Sequence, residues 1–255
     1  MSVGFYSQLR ARPQRDKNIP LLYSGDRLDQ PEFHRRYEAY PANVHFELIG
    51  GIVYTMTPPG YDHGKGDYGL TGIFFQYELA TPGVEGAQNV SIILGKDEEP
   101  QPDVVMMLKP ECGGRTRIEG DETKYIVGPP ELVVEVAYSS AAIDLHEKRR
   151  DYRKGGVAEY IVVDLSARRV HWFDLASDRK LKLPADAILR CKSFPGLWID
   201  SAALLDKDNH RLFACLQRGL KSREHRQLVA RLKDLMSRSK SRRRRSNGAE
   251  KGESR

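Results

Sequence analysis

The chain has 255 residues, 40% of them hydrophobic and 30% charged, with 41 Lys or Arg against 35 Asp or Glu and a formal net charge of +6. That length can bury a sizeable core as one large or two small domains, and no run approaches the ~18 apolar residues of a membrane span. Cys112, Cys191 and Cys215 are far apart, without CxxC or Cys/His spacing, and the opening MSVGFYSQLRARPQRDKN lacks the apolar core of a secretory signal; a disulfide framework and a zinc site are disfavoured, and a cytoplasmic, reducing home is expected.

Residues 1–40 are polar and irregular, an N-terminal arm with a short helix expected from Pro31 to Tyr40 that carries Phe33, Tyr37 and Tyr40. From Asn43 the pattern VHFELI, GG, IVYTMT gives two β-rich runs around Gly50 and Gly51, a hairpin signal. Glu47 in the first run is either an acid of a functional site or an edge-strand carboxylate. TPPGYDHG then reads as a loop bearing His63, and a single loop histidine is more often a surface residue or helix cap than a catalyst. Residues 64–81 form a helix with Leu70, Phe74 and Tyr77 on one face. Residues 83–95 read as a strand that leads through the acidic turn KDEEP to Asp103.

Asp103 follows a proline and precedes Val104 to Leu108, a buried strand with its acid at the mouth. The polar, glycine-bearing stretch between Leu108 and Gly128 is a loop, either over a site or simply a variable surface. In PPELVVEVAYSS, Leu132, Val134 and Val136 alternate with Val133, Glu135 and Ala137, a strand apolar on both faces but for Glu135. A carboxylate there costs several kcal/mol unless a cation, a metal or a hydrogen-bond network compensates it. Ser139 or Ser140 caps a helix to about Lys154, stopped by Gly155 and Gly156. On its wheel Ala141, Leu145, Lys148 and Tyr152 share one face, which aims Lys148 toward the carboxylates. The bland alternatives are a solvated Lys148 or an i,i+4 pair with Asp144. Two strand carboxylates make a hard oxygen site suited to Mg²⁺ or Mn²⁺, and with a converging lysine they form a constellation for metal-dependent phosphodiester hydrolysis.

Pro102-Asp103, Glu135 and Lys148, in that order, resemble the PD-(D/E)XK restriction-endonuclease-like superfamily, in a bacterial branch whose catalytic lysine has moved to the following helix. The motifs QPDVVMM, GPPELVVEVAYSS, DLHEKRRDY and GVAEYIVVD carry the resemblance across roughly Phe46 to Leu175. Position 137, where the namesake motif places lysine, is Ala137; Lys148 takes the role, with Arg149, Arg150 and Lys154 as rivals. The hairpin resembles the branch's YELIDGE, but Gly50 and Ile52 replace its later acids. The resemblance implies an α/β fold, a restriction-endonuclease-like core with a central mixed β-sheet flanked by helices. It also implies Asp103, Glu135 and Lys148 as catalytic residues. Asp103 and Glu135 would bind Mg²⁺ or Mn²⁺, with the Val136 carbonyl a further candidate ligand and Glu47, Tyr152 and His63 as accessories.

Ala158 onward is another strand, and SARR turns it into VHWFDL, with Asp164 serving structure at the turn. Residues 41–220 thus read as the nuclease domain, with the apolar stretch from Leu181 to about Leu220 packing back on its core. Residues 221–236, with Leu228, Leu232 and Leu235, read as a C-terminal amphipathic helix. Residues 237–255 read as a disordered basic tail, in which Arg242, Arg243, Arg244 and Arg245 either tether nucleic acid or only solubilise. Residues 236–255 hold eight Lys or Arg and two Glu, which accounts for the whole net charge of +6. The leading expectation is a metal-dependent endonuclease with DNA as partner, no membrane and, by analogy with enzymes that cut both strands, a homodimer. The alternatives are a catalytically inactive nucleic-acid or protein interaction module on the same fold, and an accessory factor of a transposon or repair complex.

Overall fold

The computed structural model describes residues 18–41, 43–56, 60–120, 124–138 and 140–250, with 62, 63 and 242–250 as backbone alone. A six-stranded sheet organises it. Its order is β11 (Arg179–Leu181), β10 (Arg169–Asp174), β9 (Glu159–Asp164), β8 (Leu132–Ala137), β5 (Val104–Leu108) and β3 (Val84–Gln88). Only β8 and β9 pair in parallel; the other neighbours are antiparallel. The expected central mixed sheet is thus present. Strands β5, β8 and β9 are buried along their whole length, as their near-continuous Val/Ile/Leu runs require of strands covered on both faces.

Period-two alternation splits the sheet into two cores. Val104, Met106, Leu132, Val134, Val136, Ile161 and Val163 face Leu70, Phe74 and Tyr77 of α2 (Tyr61–Ala80) and Leu212 and Leu216 of α6 (Asn209–Leu220). Val105, Val133, Ala137, Tyr160 and Val162 face the opposite way, against Tyr152, Ala141 and Leu145 of the segment 141–155. That segment is the crossover a parallel β8 and β9 pair needs. It begins as α3 (Ala141–Ile143), widens into a π turn at Asp144–Lys148 and continues as α4 (Arg149–Gly155). Gly156, at φ 92°, ends it in the left-handed region that glycine adopts without steric cost.

A third, smaller core joins the arm to the hairpin. Helix α1 (Gln30–Tyr37) is N-capped by Asp29, and Phe33 packs with Phe46, Leu48 and Val53 of β1 (Phe46–Ile49) and β2 (Ile52–Thr55). The hairpin turns through Gly50 and Gly51 at φ 57° and 76°, the type I′ geometry that matches strand twist.

Several expectations are corrected. The polar stretch after Leu108, expected as a loop, contains strands: β6 (Arg117–Glu119) and β7 (Tyr125–Val127) join β4 (Ile92–Ile93) in a three-stranded sheet. Buried Ile92 and Ile126 anchor it, which the surrounding charges concealed. The expected strand in 83–95 is two, β3 and β4. Helix α1 stops at Tyr37, three residues short, and α2 starts at Tyr61, three residues early. Ser140 makes no capping bond, and its hydroxyl donates to Asp144 Oδ2 at 2.6 Å; Ser139 lies outside the described residues. Helix α7 (Arg223–Glu250) runs through most of the segment expected to be disordered. Its Arg, Lys and Ser residues hold no proline to break it, and Asp234 pairs with Arg238 one turn on.

The stretch from Ile188 to Leu216 does return to the main core, through Leu189, Phe194, Leu197, Ile199 and Leu204. Between them lie β12 (Ile188–Arg190), β13 (Trp198–Asp200) and α5 (Ser201–Leu205). Cys112, Cys191 and Cys215 are free and buried. Among the described residues no helix is long and apolar enough to cross a membrane.

Candidate active site

The β5 and β8 register pairs Val104 with Val134 and Val105 with Val133, so the next position sets Asp103 opposite Glu135. Directly opposed residues share a sheet face, here the one under 141–155. Asp103 Oδ2 accepts the Val136 N–H at 2.6 Å, which fixes one oxygen against the neighbouring strand. Glu135 is 3% exposed. Its Oε1 accepts the Tyr152 hydroxyl at 2.7 Å and the Lys148 ammonium at 3.1 Å.

Lys148 is the hub. Its Nζ lies 2.8 Å from Glu47 Oε1, 3.1 Å from Glu135 Oε1 and 3.5 Å from Asp144 Oδ1. Its rivals point elsewhere: Arg149 pairs with Asp178, Arg150 with Glu147, and Lys154 with Glu98. The inward reading and the i,i+4 pairing with Asp144 both hold, because Asp144 is itself buried at the same centre. The π turn spans Asp144 to Lys148; such widened turns recur at functional sites.

Glu47 comes in from the hairpin, 1% exposed, and also accepts the Gln101 N–H at 2.7 Å. It therefore belongs to the cluster rather than to a solvated edge. The hairpin is held against the helix by Asp151, whose Oδ2 accepts the Gly50 N–H at 2.6 Å. A Cβ on Gly50 would stand 2.8 Å from Arg150 Nη2, so the tight turn also serves close approach. Burial lifts the Asp151 carboxyl to about 6, with the Gly50 bond and Arg150 pulling the other way.

Electrostatically the centre has too few cations. Burial pushes the Glu135 carboxyl well above its usual range; Lys148 opposes this, while Asp144, Asp103 and Glu47 add to it. Burial alone would favour a neutral Lys148, yet Glu135, Glu47 and Asp144 reverse that and hold it firmly protonated. Burial and the adjacent Glu135 keep Tyr152 a neutral donor. Oδ1 of Asp144 is the one buried side-chain oxygen or nitrogen among the described residues with no hydrogen-bond partner.

Glu159 shows what a purely structural buried carboxylate looks like in the same sheet. It accepts from Trp172 Nε1 at 2.6 Å and from the N–H groups of Lys192 and Ser193 at 3.2 and 2.9 Å, all neutral donors. Glu135 has no such backbone cradle in the bonds just described. Among the described residues no three His, Cys, Asp or Glu side chains are grouped as ligands of one ion. The oxygen donors of the cluster come from Asp103, Glu135, Glu47 and Asp144, and Lys148 is the cation that the ion pairs above set among them.

Of the sequence-derived site residues, Asp103, Glu135, Lys148, Glu47 and Tyr152 converge. The side chains of His63 and of Arg242, Arg243, Arg244 and Arg245 lie outside what is described. Asp144 was legible only as a possible helix partner of Lys148; its fourfold spacing from Lys148 was the available signal.

The fold is a mixed α/β one, a central six-stranded sheet with helices packed on its faces. The chain belongs to the Uma2 family, described as "Putative restriction endonuclease", whose model matches residues 31–203. Its fold is similar to the crystal structure of a protein from Anabaena variabilis titled a putative nuclease, at 15% identity and a TM-score of 0.54, covering 67% of this chain and 97% of that one. A comparison with curated proteins finds no match.

Proposed function

We propose that this chain is a divalent-metal-dependent endonuclease that hydrolyses phosphodiester bonds in DNA. The observation that carries the proposal is the Lys148 ammonium set within 3.5 Å of three buried carboxylates on the face that presents Asp103. Asp103 and Glu135 would hold Mg²⁺ or Mn²⁺, with the Val136 carbonyl a further candidate ligand. A divalent cation at this pair supplies Lewis acidity toward a phosphoryl oxygen. Hydrolysis adds a water oxygen to phosphorus and breaks the bond to the leaving alkoxide, the proton lost by the water ending on that alkoxide by way of solvent, and negative charge builds on the phosphoryl group between. Lys148, held protonated, orients that water and offsets the charge, so its role is electrostatic rather than that of a base. Tyr152 fixes the rotamer of Glu135, and Glu47 and Asp144 fix Lys148.

A second reading rests on the same contacts. Three carboxylates around one ammonium also describe a self-compensating ion cluster in a non-catalytic interaction module. Incubating supercoiled plasmid with the protein and Mg²⁺, Mn²⁺ or EDTA, beside a Glu135→Ala control, separates the two. Metal-dependent nicking absent from the control supports the enzyme; a folded, DNA-binding wild type that never nicks supports the module.

A further inference from the structure

Because residues 236–255 account for the whole net charge, acids and bases balance in the rest of the chain. Their placement is nevertheless uneven. The strand registers run from the candidate site to the far edge of the sheet: Glu135 faces Val162, Val162 faces His171, and Trp172 faces Leu181, which sets Lys182 opposite His171. One row over, Lys180 faces Phe173, which faces Tyr160; at the other side Arg169 faces Asp164. Residues paired directly across strands share a face, so Arg169, His171, Lys180 and Lys182 lie on the side of the sheet that carries Asp103 and Glu135.

Contacts bear this out. Lys180 Nζ lies 2.9 Å from His171 Nδ1 and stands over the Phe173 ring, which the Arg149 guanidinium of α4 also covers at 4.5 Å. Arg149 and Arg153 share a single acid, Asp178, and Asp164 is engaged by Ser166 and the Ala167 N–H in its turn. Arg169, Lys180 and Lys182 are exposed, and among the described residues none has a carboxylate at ion-pair distance. Burial, then Lys180, with Arg169 adding to them against Asp164, makes His171 harder to protonate, as expected where positive charge is in excess.

We propose that this strip, Arg169, Lys180 and Lys182 with Arg149 beside them, is the track on which the phosphodiester backbone of a nucleic acid lies when its scissile phosphate is at Asp103 and Glu135. Strands are about 4.8 Å apart, so the strip begins two strands, about 10 Å, from Glu135 and extends to about 14 Å. The inference rests on the nuclease reading for the phosphate at the carboxylates; the track itself can be measured without cleavage.

The test uses the full chain in EDTA with labelled duplexes of about 20 base pairs, one DNA and one RNA, and follows binding by anisotropy from about 50 to about 200 mM salt. The Arg169→Gln, Lys180→Gln, Lys182→Gln triple variant should bind more weakly, with a slope of log affinity on log salt shallower by about 2 to 3, since each released duplex contact contributes about 0.9. The control removes the same charge from cations with partners elsewhere, Lys109→Gln, Lys192→Gln and Arg211→Gln, and should leave the slope within about one contact of wild type. The two duplexes show whether the backbone taken is that of DNA, RNA or both. An unchanged slope in the strip variant, an equal change in the control, or a wild type that binds neither duplex overturns the track. Strip-dependent binding without plasmid nicking upholds the track and contradicts the nuclease reading; nicking with strip-independent binding does the reverse.

Discussion

The two faces of the central sheet are built from the same strands and do different work. Toward α2 and α6, β5, β8 and β9 present Val104, Met106, Leu132, Val134, Val136, Ile161 and Val163 to an apolar core. Toward 141–155, the same strands present Asp103 and Glu135 beside Val105, Val133 and Val162, and the helix above them buries Asp144, Lys148 and Tyr152. Burying apolar surface stabilises at about 25 cal/mol per Å², whereas burying charges is at best neutral. One face is packed as an apolar core, and the other combines its own apolar core with a preorganised ionic centre that adds little to stability.

Substitutions on the two faces should separate rate from stability. The largest effect on rate is expected from Glu135→Ala, which should bring metal-dependent nicking to background in a protein whose circular dichroism remains native. Lys148→Ala should slow single-turnover cleavage by about 10²- to 10³-fold and also cost about 3–5 kcal/mol in urea unfolding, because it leaves buried carboxylates uncompensated. Leu70→Ala on the other face should cost a similar ~2–5 kcal/mol by opening a cavity, with an unchanged cleavage rate where the protein is folded. Normal cleavage by folded Lys148→Ala would erase the distinction.

Smaller effects sharpen it. Asp144→Asn keeps an acceptor for Ser140 but turns an amide toward Lys148; about a tenfold loss in rate is expected, with the dependence on metal concentration little changed. Asp151 lies between the hairpin and the helix, and its effect is read through pH. Its carboxyl is raised to about 6 in the fold from 3.8, so between those values the native state binds the proton more tightly than the unfolded chain. Stability from this group is present at low pH and lost as pH rises toward 6. Asp151→Asn should remove that share of the slope in urea unfolding between about pH 4 and about pH 7; an unchanged slope would show that Asp151 is not its source.

What the sequence made legible follows from periodicity. Alternation placed Leu132–Ala137 as a doubly buried strand and marked Glu135 as its exception, the wheel aimed Lys148 inward, and Gly50-Gly51 announced the hairpin. The remainder depends on contacts distant in the chain. Glu47 and Lys148 are brought together by a hairpin and a helix about a hundred residues apart, and the Gly50 bond to Asp151 that holds them leaves no local pattern. Glu99, read as part of an acidic turn, is fully buried against His34 and Gln30, because α1 folds over it. The family resemblance located Asp103; composition alone would have left it a loop acid.

The most direct test of the account compares plasmid nicking by wild type, Glu135→Ala and Leu70→Ala in one Mg²⁺ series, each shown to be folded at the assay temperature. The account predicts nicking that rises with Mg²⁺ in wild type and Leu70→Ala alike and is absent from Glu135→Ala. Folded Glu135→Ala that nicks at the wild-type rate would contradict it.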